Sequence, residues 1–303
     1  VSRTLLTLVL LLAAVAGCSS QGGHHSGKPL IVVSTNILGD VVAEIAGAEA
    51  EVKVLMPRNA DPHSFEISAS DAAEIGRADL FVANGLGLEE GISKTADTAH
   101  AAGVPLLEVG EQVQPIRYGS GRTAGSPDPH FWTDPDRIEQ AAGLIGAAIT
   151  EHAAVNAPVV HANTVRYQQQ VRGLTSFMEA QFATIAPEAR KLVTNHHVFG
   201  YLAQRFGFTV IGAVVPSGTT LASPSASDLA GLAATIREAR VPAIFVDSSQ
   251  PDRLARVLAE EAKLTVKVTA LHTESLGEEG TEAGTYLDMM RSNAEKIAAG
   301  LRG

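Results

Sequence analysis

The sequence predicts an α/β protein built as two similar parallel-sheet lobes joined by one long, rigid backbone helix. Three observations carry this. The chain has 303 residues, and single cores usually stop growing near about 250 to 300 residues, so two compact lobes are expected. Short β-branched runs alternate with longer helical stretches, and the scheme is run through twice. Between the two runs lies a long helical segment whose apolar residues step by three or four.

The first run opens with LIVVS at residues 30–34, continues through the helical NILGDVVAEIAG and returns to VKVLM, which is βαβ logic. SASDAAEIGRADL follows, with Ser68 and Asp71 in capping-box spacing, and leads to the strands LFVAN and PLLEV, making four candidate strands. The second run starts at KLVTN and passes through FTVIGAVV, AIFVD and TVKVTAL to a last helix from Tyr286 to about Leu301, with Thr285 and Asp288 placed to cap it. The middle segment is bounded by Pro158 and Pro187, and its stripe is Val160, Thr164, Tyr167, Val171, Leu174, Met178, Phe182 and Ile185. At about 1.5 Å per residue it spans roughly 43 Å, enough to run the height of both lobes as a strut. The plainer alternative is an ordinary surface helix of a single domain.

Apolar residues make up 45% and charged residues 18% of the chain, a balance that fits packed cores and argues against extended disorder. The net charge of −10, without a cluster of lysines and arginines, lacks the counter-charge that phosphate backbones need, which excludes nucleic acid as partner. The N-terminus reads VSRTLLTLVLLLAAVAGCSS, a short basic region, an apolar run and then small residues, the form of an export signal. The run is shorter than the roughly 20 residues that span a bilayer. Ala14-Val15-Ala16 suits ordinary secretion but would strand Cys18 as a lone thiol. Val15-Ala16-Gly17-Cys18 instead resembles a lipobox, whose cysteine is lipidated and becomes residue one. These signals divide the chain into a lipoprotein signal peptide over 1–17, a flexible tether over 18–29, an N-terminal lobe over 30–155, a linker helix over 156–187 and a C-terminal lobe over 188–303.

Open α/β sheets bind ligands beyond the C-terminal ends of their strands, and four polar groups fall there. His63 follows VKVLM, His130 follows the fourth strand and its loop, His196 follows KLVTN, and Glu274 follows TVKVTAL. Any one loop histidine is weak evidence, but two candidates in each half form a joint pattern. Three imidazoles and one carboxylate are a usual shell for zinc and similar divalent ions. His272 is the alternative to Glu274, since strand alternation would put both on one face.

His63 and His130 stand in the repeated phrase Asp-Pro-His, within ADPHSFE and PDPHFWTDP. Proline fixes its own φ and extends the residue before it, so each step stiffens its loop and holds a ligand in place before an ion arrives. Asp61 and Asp128 are candidates to orient an imidazole as hydrogen-bond acceptor, or simply to shape the turn. Phe65, Phe131 and Trp132 are candidates to pack behind the rings.

At these residues the sequence resembles the cluster A-I solute-binding lipoproteins of bacterial zinc and manganese ABC transporters. The markers are VKVLMPRNADPHSFEISASD, ADLFVANGLGLE, DPHFWTDP, NHHVFGYLAQRFG and TESLGEEGTEAGTYLDMMRSN, in family order from about Leu30 to Leu301. The resemblance implies a metal site in the interlobe cleft with His63, His130, His196 and Glu274 as ligands. It also implies a function: capture of Zn2+, or alternatively Mn2+, for an ABC permease and its ATPase, by a monomer anchored to the outer face of the membrane through lipid on Cys18. Three departures bear on the metal. RYGSGRTAGSP carries none of the histidines that many zinc-specific members hold before their second ligand, His196 stands where manganese members often have a carboxylate, and Glu274 replaces the usual Asp. Nitrogen-rich shells suit zinc.

Two rival functions are a metal-stabilised surface adhesin and a zinc hydrolase. Against the second, the chain has no HExxH helix and no nucleophile elbow. For the transport reading, the strut implies small rocking of the lobes without wide hinge closure, and binding is expected to weaken as pH falls through the histidine range.

Overall fold

The computed structural model describes residues 27–119, 123–261 and 266–302. Cys18 with its lipobox, and His24 and His25 of the expected tether, lie outside the described residues. The strands of the first sheet are β1 (Leu30–Val33), β2 (Glu51–Val54), β3 (Leu80–Ala83) and β4 (Leu106–Glu108), those of the second β5 (Lys191–Thr194), β6 (Thr209–Ala213), β7 (Ala243–Asp247) and β8 (Lys267–Leu271). All pairings are parallel, and the two orders are the same: β2-β1-β3-β4 and β6-β5-β7-β8. Central strands β3 and β7 are wholly apolar up to their last residue and buried throughout, as sheets covered on both faces require.

The helices of the first sheet are α1 (Asn36–Ala46), α2 (Ala69–Ile75), α3 (Glu90–Ala101) and the short α4 (Val109–Gln112). Ser68 and Asp71 form the expected reciprocal capping box at α2. α5 (Pro135–His152) begins with Asp134 accepting the Asp136 amide and proline in its first turn. α6 (Ala157–Ala183) is the long central helix; α7 (Gly200–Phe206), α8 (Ala226–Ala239), α9 (Arg253–Glu261) and α10 (Tyr286–Leu301) serve the second sheet. Thr285 caps α10 by accepting the Asp288 amide at 3.2 Å. Among the described residues no helix is long and apolar enough to cross a membrane.

α6 ends four residues before Pro187, where the sequence had suggested a boundary. Proline pushes Ala186 out of the helical region, to φ −57° and ψ 139°, and the Thr184 hydroxyl turns back onto the Gln181 carbonyl at 2.6 Å. At 27 residues the helix is about 40 Å long. Its stripe from Val160 to Phe182 is buried as one face against α5, α1 and α10. That contact set ties helices of both sheets to one spine, which is why the main core cluster runs through both lobes without interruption.

Leu174 lies on this face and is fully buried. Leu174→Ala is expected to lower unfolding free energy by about 2–5 kcal/mol, read as a shifted urea midpoint with an unchanged far-ultraviolet spectrum.

Candidate metal centre

β1 and β3 diverge in connection, as do β5 and β7, so each sheet has a switch point where its strand ends open a crevice. The two crevices face one another. Into them project His63 from the loop after β2, His130 from the loop after α4, His196 directly beyond β5 and Glu274 beyond β8. One ligand atom from each can be chosen so that all lie within 4.8 Å of one another. His130 Nε2 is 3.4 Å from His63 Nε2 and 3.6 Å from Glu274 Oε1; His196 Nε2 is 3.0 Å from the same Oε1, and His63 Nε2 is 3.9 Å from Oε2. An ion about 2.0–2.1 Å from four tetrahedral donors would separate them by about 3.4 Å. None of the four residues is more than 5% exposed.

Electrostatics reinforce the geometry. Burial, with the neighbouring imidazoles adding to it, holds His63 down to about 2, and burial lowers His196 as well. Burial pushes the Glu274 carboxyl up to about 8, with the nearby His130 working against the rise and Asp247, Asp61 and Asp128 adding to it. With His63 and His196 held down and the Glu274 carboxyl pushed up, their short approaches are not conventional ion pairs, and the ligand-capable atoms turn on a common centre. Both Glu274 oxygens and both His196 nitrogens are buried without a hydrogen-bond partner, an arrangement that native interiors rarely tolerate and that a divalent cation would satisfy.

The two Asp-Pro-His steps do the same first job and then diverge. In each, the aspartate accepts the backbone N–H of its histidine at 3.0 Å, Asp61 Oδ1 for His63 and Asp128 Oδ1 for His130. Asp128 Oδ1 also accepts the ring Nδ1–H of His130 at 2.7 Å, which fixes the tautomer and leaves Nε2 free to ligate. Asp61 has no such bond to its ring. Its Oδ2 instead accepts Thr220 Oγ1 at 2.5 Å and Gln250 Nε2 at 2.8 Å from the other lobe.

Trp132 packs edge-on against the His130 ring at 5.3 Å, while its Nε1 donates to the Thr273 carbonyl at 2.8 Å, one residue before Glu274. Phe65, expected behind a ring as well, packs with the smaller core cluster of the first lobe. Phe131 meets Trp132 edge-to-face in the main core. His272 stands outside the group: its Nδ1 meets Ser248 Oγ at 3.0 Å, and its backbone is held by Asn293 on both sides. The alternation argument for residues 272 and 274 fails because β8 stops at Leu271, so the pleat does not continue through them. His197 turns away toward Tyr118.

Sequence reasoning missed the groups that hold the loops carrying His130 and Glu274. Buried Asp247, the last residue of β7, accepts the Thr273 hydroxyl, the Thr273 amide at 3.0 Å and the Glu274 amide at 3.2 Å. Asn84, directly beyond β3, donates to the Pro129 carbonyl at 3.1 Å, next to His130. Both stand just where the strand-end rule points, and their phrases LFVAN and AIFVD carry the signal. Tyr118 was missed too. Its hydroxyl lies 3.2 Å from His130 Nδ1, and a Cβ added at Gly218 would collide with it.

Comparison with known proteins finds the profile of the family "Zinc-uptake complex component A periplasmic" over residues 31–300. The manganese-binding lipoprotein MntA of Halalkalibacterium halodurans is 27% identical over 299 residues, covering 98% of this chain and 96% of that protein. The structure of the periplasmic zinc-binding protein TroA from Treponema pallidum superposes with a TM-score of 0.84 at 29% identity, over 91% of this chain and 99% of that one. A manganese-bound periplasmic metal-binding protein from Candidatus Liberibacter asiaticus gives 0.79 at 28% identity, over 90% and 100%.

Because Asp247 positions the Glu274 backbone, Asp247→Asn is expected to weaken zinc binding about 10- to 100-fold while the chain stays folded, measured by chelator-competition titration beside circular dichroism.

Proposed function

Since the chain belongs to the zinc-uptake complex component A family, the cluster A-I metal receptors of ABC transporters, we propose that it captures zinc outside the cytoplasm and delivers it to a membrane permease. The family is one of non-catalytic, extracytoplasmic receptors for zinc or manganese. The observation that carries the reading is the convergence of four buried donor groups, two from each half of the chain, on one centre. In this reading His63, His130, His196 and Glu274 are the ligands, Asp128 orients His130, and Trp132 braces both His130 and the Glu274 loop.

Zinc is preferred over manganese because three of the four donors are imidazole nitrogens and only one is a carboxylate. The relatives include proteins named for each metal, a zinc-binding one in Treponema pallidum and a manganese-binding one in Halalkalibacterium halodurans. The reading includes a lipid anchor on Cys18, a signal peptide over 1–17 and a tether over 18–29. It also divides the folded part into lobes over 30–155 and 188–303 with a linker over 156–187. An ABC permease and its ATPase are the partners.

The ligand set also adds a carboxyl to the pH dependence expected from the histidines. Burial keeps His63 neutral down to about 2 and lowers His196, while Glu274, held up at about 8, must lose a proton. A metal binds its carboxylate form, so below about pH 8 each ion displaces one proton and affinity falls as pH falls.

Two outcomes are expected. Equilibration with equal zinc and manganese, followed by elemental analysis, finds zinc at close to one ion per chain, and His196→Ala abolishes the retention. Zinc affinity drops about 100-fold or more between pH 7.5 and 5.5, whereas Glu274→Gln binds more weakly with a flatter profile; competition titrations across that range read both.

A further inference from the structure

The two flanks of the interlobe seam are built differently. On one, the segment that carries Glu274 is sewn to the first lobe. Asn36 Nδ2 donates to Ser275 Oγ at 2.7 Å, and Asn36 Oδ1 accepts the Leu276 amide at 2.9 Å. Arg58 Nη1 donates to the carbonyls of Gly277 and Gly284 at 2.7 and 2.8 Å, and the Tyr286 amide donates to Asp40 Oδ2 at 2.9 Å. The Tyr286 hydroxyl completes the seam on the Trp132 carbonyl at 2.8 Å. Asp247 meanwhile ties the start of the same segment to the second lobe. A segment fastened to both bodies at once is a pivot.

On the second-lobe side the segment beyond His196 is itself tied to the first lobe, the Tyr201 hydroxyl donating to the Asp128 carbonyl at 2.8 Å and accepting the Ile116 amide at 3.1 Å, but the flank formed by the loops after β6 and β7 is held by less. Among the described residues the loops after β6 and β7 reach the first lobe through Asp61 Oδ2, which takes Thr220 and Gln250, and through a long 3.4 Å bond from the Tyr118 hydroxyl to the Gly218 carbonyl. Thr220 and Gln250 also line a cavity of about 220 Å3, together with Asn195, His196 and Asp247. A water occupies about 30 Å3 of liquid, so the cavity has room for an ion with part of its water shell. The four ligand residues themselves are almost without exposure, and an ion cannot exchange without movement.

We infer that Asp61 is a latch: its bonds to Thr220 and Gln250 hold the flank of the β6 and β7 loops shut, and the ion passes through the cavity behind them while the Glu274 and Tyr201 contacts stay put. One carboxylate then couples the ligand to the closure, since Asp61 Oδ1 positions His63 and Oδ2 holds the far lobe. Thr220 and Gln250 are positioning residues that touch no ion. The inference rests on the metal-capture reading above.

The test uses the full chain loaded with zinc and carrying Thr220→Val with Gln250→Ala, which leaves Asp61 and all four ligands in place. Removing two hydrogen bonds to a charged acceptor should speed zinc release into excess chelator at least about tenfold in stopped flow. Hydrogen exchange should rise at residues 214–224 and 248–252 and stay unchanged at 273–286, and Thr220→Ser alone, which keeps the hydroxyl, should release zinc at the wild-type rate. Release at wild-type speed from the double variant, or an exchange increase centred on 273–286, overturns the latch and leaves metal capture standing. A wild-type chain that retains no zinc overturns both.

Discussion

The structure depends on keeping three imidazoles and a carboxyl group out of water and facing one another. Unpartnered polar atoms in an interior are costly, and a buried carboxylate more so. The chain meets that cost with rigid supports around the group. Asp128 fixes the tautomer of His130, Asp247 holds the amides of Thr273 and Glu274, and Trp132 spans from the His130 ring to the backbone beside Glu274. The electrostatic result is a site in which burial holds the Glu274 carboxyl up at about 8 and keeps His63 and His196 from taking a proton, a charge state that a bound cation would complement.

The duplicated architecture explains why two halves can serve one centre. Because the sheets share one strand order, the crevice at each switch point presents equivalent loops. His130 and Glu274 both follow the fourth strand of their sheet, and each is braced by the residue at the end of the third, Asn84 in one lobe and Asp247 in the other. The symmetry breaks at the second and first strands, where the first lobe contributes His63 and the second His196. α6, packed on helices of both lobes, keeps the two crevices in register. Among the described residues the seam is bonded densely where Glu274 sits and more sparsely where Asp61 meets the loops after β6 and β7.

Much of this was legible in the residues. Parallel strands buried on both faces read as continuous β-branched runs, capping signals at Ser68 and Thr285 marked helix starts, and the rule that ligands lie beyond strand ends picked four positions whose side chains do meet. The reading failed where local rules stop. Alternation could not be carried past Leu271, because the strand had ended and the loop takes its course from Asp247 and Asn36. The end of α6 was placed late, since a proline acts on the residues before it.

The two Asp-Pro-His steps mark the boundary between what the sequence determines and what it does not. Proline and an aspartate accepting the amide two residues on are local chemistry, so stiff turns that present His63 and His130 follow from the sequence alone. That Asp128 then takes its own histidine ring, while Asp61 reaches Thr220 and Gln250 of the opposite lobe, was decided only by tertiary structure. The reason is physical: the partners of Asp61 lie 159 and 189 residues away in the chain, and only the packing of two folded lobes on a common helix brings them within hydrogen-bond distance.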